Sequence, residues 1–448
     1  MKAANMDVIK VKGPNFLNFL NRRNEYPAFH FHDLMHKYGA VVKCSHLFYL
    51  VNDADVGKEI LLKDLKYFNQ QDFISKRTRA VFGEGLVTNE GASWASQRKL
   101  LYSVFRYKSV HESINETITT INDYLDECVS PFSDKNELID IAKEMEHLTI
   151  MISGKVFFDT DLKPYIPDVQ NIVLTSTKYM SDGLPFYIPL WVPTKTHLSL
   201  KNLGRRVDNI LSPLLSKRLK SKRVKPDLIH ALLQGLGSPD LFSKNRRLII
   251  DEMKTMLAGA YFPTSSTLSL FWLMMGQNPK CFQKIKHEIK NTPEGYTFTS
   301  RFYKDFPETT KALFETMRLY PSAFSIWRKT KQKCTIKGYV FPKGKSVCIS
   351  MLNIHRNPKY WKNPEEFNPE RFNEINSKNR PKHYFMPFGW GPRKCIGDYF
   401  SIMVMHLAII KILGKFDVEI IENQKLIPRP LAILCPDKVI AKIKSLDD

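Results

Sequence analysis

The chain opens without a long apolar run. Its first residues, MKAANMDVIKVKGPNFLNFL, hold neither the apolar core of a signal peptide nor enough apolar length to cross a bilayer. The expectation is a cytoplasmic chain with no transmembrane segment, leaving open a peripheral contact with a membrane through basic and apolar surface. Cysteine is sparse. The seven are Cys44, Cys128, Cys281, Cys334, Cys348, Cys395 and Cys435. The number is odd and no two have zinc-site spacing, which fits a reducing compartment. Neither of the standard glycine-rich nucleotide loops is present. There is no internal repeat and no low-complexity linker. Acidic residues are few, 45 against 67 Lys and Arg, giving a formal charge of +22. That excess suits an acidic partner or an anionic surface. No basic arm concentrates it and no nucleic-acid motif accompanies it, so nucleic acid is not an expected partner.

The 448 residues, 43% of them hydrophobic, can bury a large core as one large domain or two or three ordinary ones. Short runs in YGAVVKCSHLFYLVNDADV suit a hairpin or small sheet. From there to about residue 320 the periodicity is mostly helical. It runs through ASWASQRKLLYSVF, VHESINETITTINDYLDECV, ELIDIAKEMEHLTIMISGKVF, RVDNILSPLLSKRLK, LIIDEMKTMLAGAY, CFQKIKHEIK and ETTKALFETMRLY. KSKRVKPD reads as a charged surface hinge. Strand-like segments return in SAFSIWRKT and CTIKGYVFPKGKSVCIS, with GYVFPKG as hairpin punctuation. A last helix, DYFSIMVMHLAIIKILGKF, follows Gly397. The pattern predicts a mainly α, α+β fold with a small sheet assembled from both ends of the chain.

The sharpest stretch is FMPFGWGPRKCIGDYF, residues 385–400. Gly389 and Gly391 allow a tight turn and close backbone approach. Cys395 ends the loop near the start of a helix, where the helix field and nearby amides favour a thiolate, and Arg393 adds positive charge. One thiolate alone makes a poor zinc or iron–sulfur site. It makes a good axial ligand to haem iron, because the porphyrin supplies the in-plane donors.

This segment resembles the haem-binding loop of the cytochrome P450 family, with Phe388, Gly389, Gly391, Arg393, Cys395 and Gly397 standing in the family pattern without a gap. The resemblance implies that Cys395 is the proximal metal ligand of heme b, that Arg393 meets a haem propionate, and that Phe388 packs beside the thiolate. Glu315 and Arg318 in FETMRLYP share a helical face. With Arg371 of NPERF they match the family's Glu–Arg pair and the arginine it binds, a lock on the proximal core. Trp94 and Arg98 in GASWASQRKL, and Arg328 in SIWRKT, match further positions that grip the propionates, chemistry suited to guanidinium forks. The resemblance covers roughly residues 25–430. It implies one catalytic domain over residues 1–448, with about residues 1–24 an extension without an anchor. Haem would be held between the Cys395 loop and the helix bearing residues 258–267. Apolar lining is expected from residues 65–90, from Ala258 to Thr267 and from SAFSI. A lipophilic small molecule such as a sterol or fatty acid is the expected substrate.

The distal stretch AGAYFPTSST departs from the family pattern, in which an acid and a threonine follow the Ala/Gly pair and organise protons and water for oxygen activation. Ala258 and Gly259 fit, but Tyr261, Phe262 and Pro263 stand where the acid and threonine belong, and there is one residue too many. Pro263 has no N–H and frees carbonyls around residues 259–260. A π-bulge would absorb the extra residue. Three readings follow. Monooxygenation survives with Thr264 or Ser265 and bound water as the relay. Alternatively the oxidant is a peroxide, or the substrate is already oxygenated and is isomerised or dehydrated. Or the chain is a haem-bearing ligand-binding protein. A monooxygenase with no fused redox module needs an external electron donor, a ferredoxin or a flavoprotein reductase. Lys99, Arg106, Lys108, Lys382 and Lys394 are candidates to steer an acidic donor to a monomer.

Overall fold

The computed structural model describes residues 9–14, 26–44, 48–70, 78–135, 137–181, 192, 194–221, 225, 227–236, 239–293, 295–299, 301–429 and 432–446. Half of the hinge KSKRVKPD lies outside them. Helices dominate, with small β-sheet regions, as the periodicity predicts. The chain forms two compact units, one of Met1–Lys76, Met317–Phe367 and Glu374–Cys395, the other of Arg77–Thr316, Asn368–Asn373 and Ile396–Asp448.

The strands are β1 (Val41–Cys44), β2 (Phe48–Val51), β3 (Phe68–Gln70), β4 (Leu138–Asp140), β5 (Ser325–Thr330), β6 (Cys334–Ile336), β7 (Tyr339–Phe341), β8 (Ser346–Ser350), β9 (Phe416–Ile420) and β10 (Ile440–Ser445). The first unit is built on the sheet β1-β2-β8-β5-β3. β2 and β8 run parallel and the other pairs antiparallel. Early and late segments therefore do meet in one sheet. Its apolar side chains, Val51, Val347 and Ile349 among them, pack into one core with the helical Ile60 and Ile354 and with Met386 and Trp390 of the cysteine loop. The KG turn between β6 and β7 places Lys337 and Gly338 both at positive φ, the geometry of a two-residue hairpin.

The helices used below are α1 (Gly91–Leu101), α2 (Ile141–Phe158), α3 (Ile166–Ser181), α4 (Lys195–Lys220), α5 (Pro239–Gln277), α6 (Pro307–Leu319) and α7 (Asp398–Lys415). In the second unit α2 packs along α5, the longest helix. Two expectations need correction. The segment ELIDIA does not open a helix. Leu138–Asp140 forms strand β4 against β10, and α2 begins at Ile141, where the Ala142 N–H donates to Asp140 Oδ1 at 3.2 Å. The partner strand lies some 300 residues away, so no local periodicity reports it. Nor is there a π-bulge at the distal stretch: α5 runs as α-helix straight through Pro263. The π segment is at Leu125–Val129 instead.

Candidate haem and oxygen-activation site

In the first unit the loop before Cys395 is fixed by close backbone approach. Gly389 and Gly391 both have φ of 75°, a region that side-chain-bearing residues avoid. A Cβ on Gly391 would stand 2.3 Å from the Leu61 carbonyl oxygen. The loop is closed by the Cys395 N–H, which donates to Phe388 O at 2.9 Å, and by the Met386 N–H, which donates to His355 Nε2 at 3.0 Å. Burial, reinforced by Arg318 and Arg380, lowers the His355 pKa to about 3, so the imidazole is neutral and its Nε2 is an acceptor. Cys395 is the exposed one of the seven cysteines, whereas Cys44, Cys334, Cys348 and Cys435 are buried.

Arg328 is buried on β5, its guanidinium donating to Trp327 O at 2.8 Å. Ile326 and Arg328 point to the same side of that strand. Gly389 lies against the Ile326 side chain, where an added Cβ would stand 3.2 Å from Cδ1. The cysteine loop thus covers the face of β5 that carries Arg328. Arg393 and Phe388, both half-buried, belong to the same loop. Arg318 is wholly buried and donates to the carbonyls of His355, Pro364 and Glu366 at 2.8, 2.7 and 3.1 Å.

In the second unit Glu315 is wholly buried on α6. Its Oε1 accepts from Arg371 Nε at 3.2 Å and from the Asn368 N–H at 2.8 Å. The Glu–Arg contact expected from the two motifs is present. On α1 the Arg98 guanidinium lies 5.8 Å from the Trp94 ring centre, and Trp94 is buried. Gly397 caps the start of α7, with Phe105 3.4 Å from where its Cβ would be.

The middle of α5 is buried nearly throughout, but it opens at Ala258, Gly259, Ala260 and Pro263. A Cβ on Gly259 would find nothing within 4 Å. Tyr261 is wholly buried, and burial drives its phenol pKa well above the ordinary value, so it is no acid at neutral pH. Thr264 and Ser265 are buried on opposite flanks of the Gly259–Pro263 stripe. Ser265 Oγ donates to Phe262 O at 3.0 Å, and Thr267 Oγ1 to Pro263 O at 2.9 Å.

Two groups that the sequence reading passed over lie on that stripe. Glu252, Thr255, Gly259 and Pro263 follow one another at helical spacings of three, four and four. Glu252 is wholly buried. Its Oε2 accepts the Leu86 N–H at 3.0 Å while its Oε1 has no hydrogen-bond partner among the described residues, and the same holds for Thr255 Oγ1. Burial above all, and then Asp251, raises the Glu252 pKa to about 7. The segment FGEGL lies directly on this face. A Cβ on Gly85 would stand 2.0 Å from Thr255 Oγ1, and one on Gly83 2.0 Å from the Asp251 carboxylate. The available signal was a pair of acids, Asp251 and Glu252, inside an apolar helix, with a Gly-x-Gly elsewhere in the chain.

These residues fit haem. Among the described residues no group of three or more His, Cys, Asp or Glu side chains could hold a metal, and Cys395, exposed at the end of its loop, would be a single protein donor of the kind a macrocycle completes. Arg328 lies on the strand face that the loop covers, and on the separate unit α5 is open at Gly259, where an added Cβ would meet nothing within 4 Å. Among the described residues no helix is long and apolar enough to cross a membrane.

Comparison with known proteins agrees. A sequence profile of the cytochrome P450 family matches residues 10–441. The chain is 25% identical over 430 residues to Protein LUTEIN DEFICIENT 5, chloroplastic, of Arabidopsis thaliana, covering 89% of this chain and 70% of that one. It is 25% identical over 367 residues to cyclooctatin synthase of Streptomyces melanosporofaciens, covering 80% and 78%. To carotene epsilon-monooxygenase, chloroplastic, of Arabidopsis thaliana it is 23% identical over 419 residues, covering 87% and 76%. With the cysteine loop, the buried Glu315–Arg371 pair and a profile match over nearly its whole length, the chain belongs to the cytochrome P450 family.

Proposed function

We propose that this protein is a haem-thiolate monooxygenase that inserts one oxygen atom from O2 into a lipophilic small molecule, with electrons from an external donor. The observation that carries the reading is the exposed Cys395 at the end of a loop pinned by Gly389, Gly391 and His355. Haem, when bound, supplies the oxygen-activating and electron-accepting chemistry. Cys395 Sγ would hold its iron. Arg98, Arg328 and Arg393 would hold its propionates, with Trp94 and Phe388 as apolar walls, Gly397 starting the helix behind the thiolate, and Ala258 and Gly259 on the distal side. The similarity to a carotene epsilon-monooxygenase supports this class.

Glu252 answers the loss of the distal acid. A carboxyl group with a pKa of about 7 is protonated in half of the molecules at neutral pH, and its unpartnered Oε1 lies on the same stripe as Thr255 and the opening at Gly259. Glu252 would hold the proton and the Thr255 hydroxyl, with water, would pass it toward the carbonyl that Pro263 leaves unpaired at Gly259. Thr264 remains the alternative alcohol. The reading is tested by parallel turnover with a surrogate reductase, NADPH and O2 in one arm and peroxide in the other. Product in the first arm is expected, and product from peroxide alone would overturn the reading. Glu252→Gln is expected to uncouple O2 consumption from product. If Thr264→Ala uncouples instead, the relay runs through Thr264.

A further inference from the structure

In the second unit the segment FGEGL forms a strap across α5. The strap is tied to itself. Thr88 Oγ1 donates to Gly83 O at 2.6 Å and to Gly85 O at 3.1 Å, and Arg79 Nη2 donates to Thr88 O at 2.7 Å. It is tied to α5 by two consecutive carboxylates. Asp251 Oδ2 accepts the Glu84 N–H and Glu252 Oε2 the Leu86 N–H, each at 3.0 Å. Alternate amides of the strap are thus held by neighbouring residues of the helix. No room is left between them, since a Cβ on Gly83 would strike the Asp251 carboxylate and one on Gly85 the Thr255 hydroxyl, each at 2.0 Å. Gly85 and Leu86 are buried, but Glu84 and Val87 on either side of them are exposed. The strap is therefore one layer of chain, with Glu252 beneath it and water above.

A carboxyl group shut away with one oxygen unpartnered resists ionisation. The charged groups around it do not reverse this. Asp251, its neighbour on α5, opposes a second negative charge. Lys254 and Arg247 of α5 are taken up by Asp208 of α4, at 2.6 and 2.9 Å, and by Asp251, at 3.5 and 3.1 Å. On the strap, Glu84 lies 3.5 Å from Arg79. From α1 comes a neutral amide, Gln97, whose Nε2 donates to Glu84 O at 2.8 Å. Glu146 of α2 is held by Arg429 at 2.6 Å. The helix Leu228–Leu236, also packed on α5, carries His230 and neither a carboxylate nor an amine.

We propose that closure of the strap and protonation of Glu252 are one linked event: closing it on α5 loads the carboxyl group with a proton, and opening it admits water, which takes the proton away. Gly85 and the Leu86 N–H are then positioning elements, which keep Glu252 dry and in one place. Closed, the carboxyl stands at about 7. Open to water, it returns to its ordinary 4.5. The proton therefore favours the closed strap, and opening becomes easier as pH rises from about 4.5 to about 7. This rests on the reading of Glu252 as a proton store only for what the proton is used for. The linkage itself is read without turnover.

The test is hydrogen–deuterium exchange of residues 83–88 in the purified holoenzyme, read by mass spectrometry from pH ~5 to pH ~8, with α2 as the internal reference. Once the intrinsic pH dependence of amide exchange is divided out, strap opening should rise about 70-fold over that range. Glutamine does not titrate, so Glu252→Gln should lose the rise while its strap stays bound. Gly85→Ala, whose Cβ would press the strap away from Thr255, should exchange fast at both ends of the range, again without the rise. A wild-type strap that opens equally at both pH values, a rise that survives Glu252→Gln, or a strap that exchanges only together with α2 would each overturn the proposal. Should Gly85→Ala fail to fold, the comparison of wild type with Glu252→Gln decides. A failure of the monooxygenase reading would show in the turnover arms and leave the exchange pattern untouched.

Discussion

Glu252→Gln should change the pH dependence of stability in a direction and by an amount that its surroundings fix. The carboxyl is wholly buried and its pKa is raised from 4.5 to about 7, chiefly by desolvation. The folded protein therefore holds this proton over a range where the unfolded chain has released it. Wild-type stability falls as pH rises above about 4.5 and levels off above about 7. The gap, at about 1.4 kcal/mol per pH unit, is worth about 3.4 kcal/mol in full, and about 2.5 kcal/mol of it falls between pH ~5 and pH ~8. Glutamine does not titrate, and its amide oxygen can still accept the Leu86 N–H. The stability of the variant relative to wild type should rise by about 2.5 kcal/mol from pH ~5 to pH ~8. Denaturant unfolding at a series of pH values reads this directly. A relative stability that is flat with pH would show that Glu252 ionises normally, and would remove it as the proton store of the distal helix.

Gly391→Ala should lower melting temperature and haem content together, because φ of 75° costs a side-chain-bearing residue about 1–2 kcal/mol and its Cβ would press on Leu61 O at 2.3 Å. Gly414→Ala, a helical site with nothing within 4 Å of the new Cβ, is the control and should be neutral or slightly stabilising in the same thermal scan. Glu315→Ala strips a wholly buried carboxylate from Arg371 and from the Asn368 N–H, and should cost about 3–5 kcal/mol in denaturant unfolding. A loss below about 1 kcal/mol would place that pair with ordinary surface bridges.

Local chemistry was the legible part of this chain. The double-glycine loop before Cys395 could be read from its residues, and the resemblance that loop carries to the cytochrome P450 family implied the contact of Glu315 with the NPERF arginine, which is present and buried on the Glu315 side. The helices of the 140–320 stretch were legible because helical period is a local property; the hairpin signal GYVFPKG marks the right region, but the turn is Lys337–Gly338 and Tyr339–Phe341 within that segment is strand β7. What was not legible depends on distant partners. Strand β4 exists because β10 pairs with it, and the polar face of α5 exists because FGEGL lies upon it. Glu252 and Lys254 are two residues apart, yet one is buried with an unpartnered oxygen and the other lines an apolar cavity. Periodicity reports that such residues face inward but not what they face. The distal stretch misled in a further way. An extra residue suggested a bulge, but Pro263 is carried in a continuous α-helix by the apolar packing on either side of it, from Leu257 to Phe262 and from Leu268 to Met275.

The central claim, that Cys395 supplies the thiolate of a haem–thiolate centre, is tested most directly by the reduced carbon monoxide difference spectrum of the purified protein and of Cys395→Ser. The account predicts the thiolate-type Soret band in the wild type and its loss in the serine variant, with the fold retained. A wild-type spectrum without that band, or a serine variant that keeps it, would contradict the account.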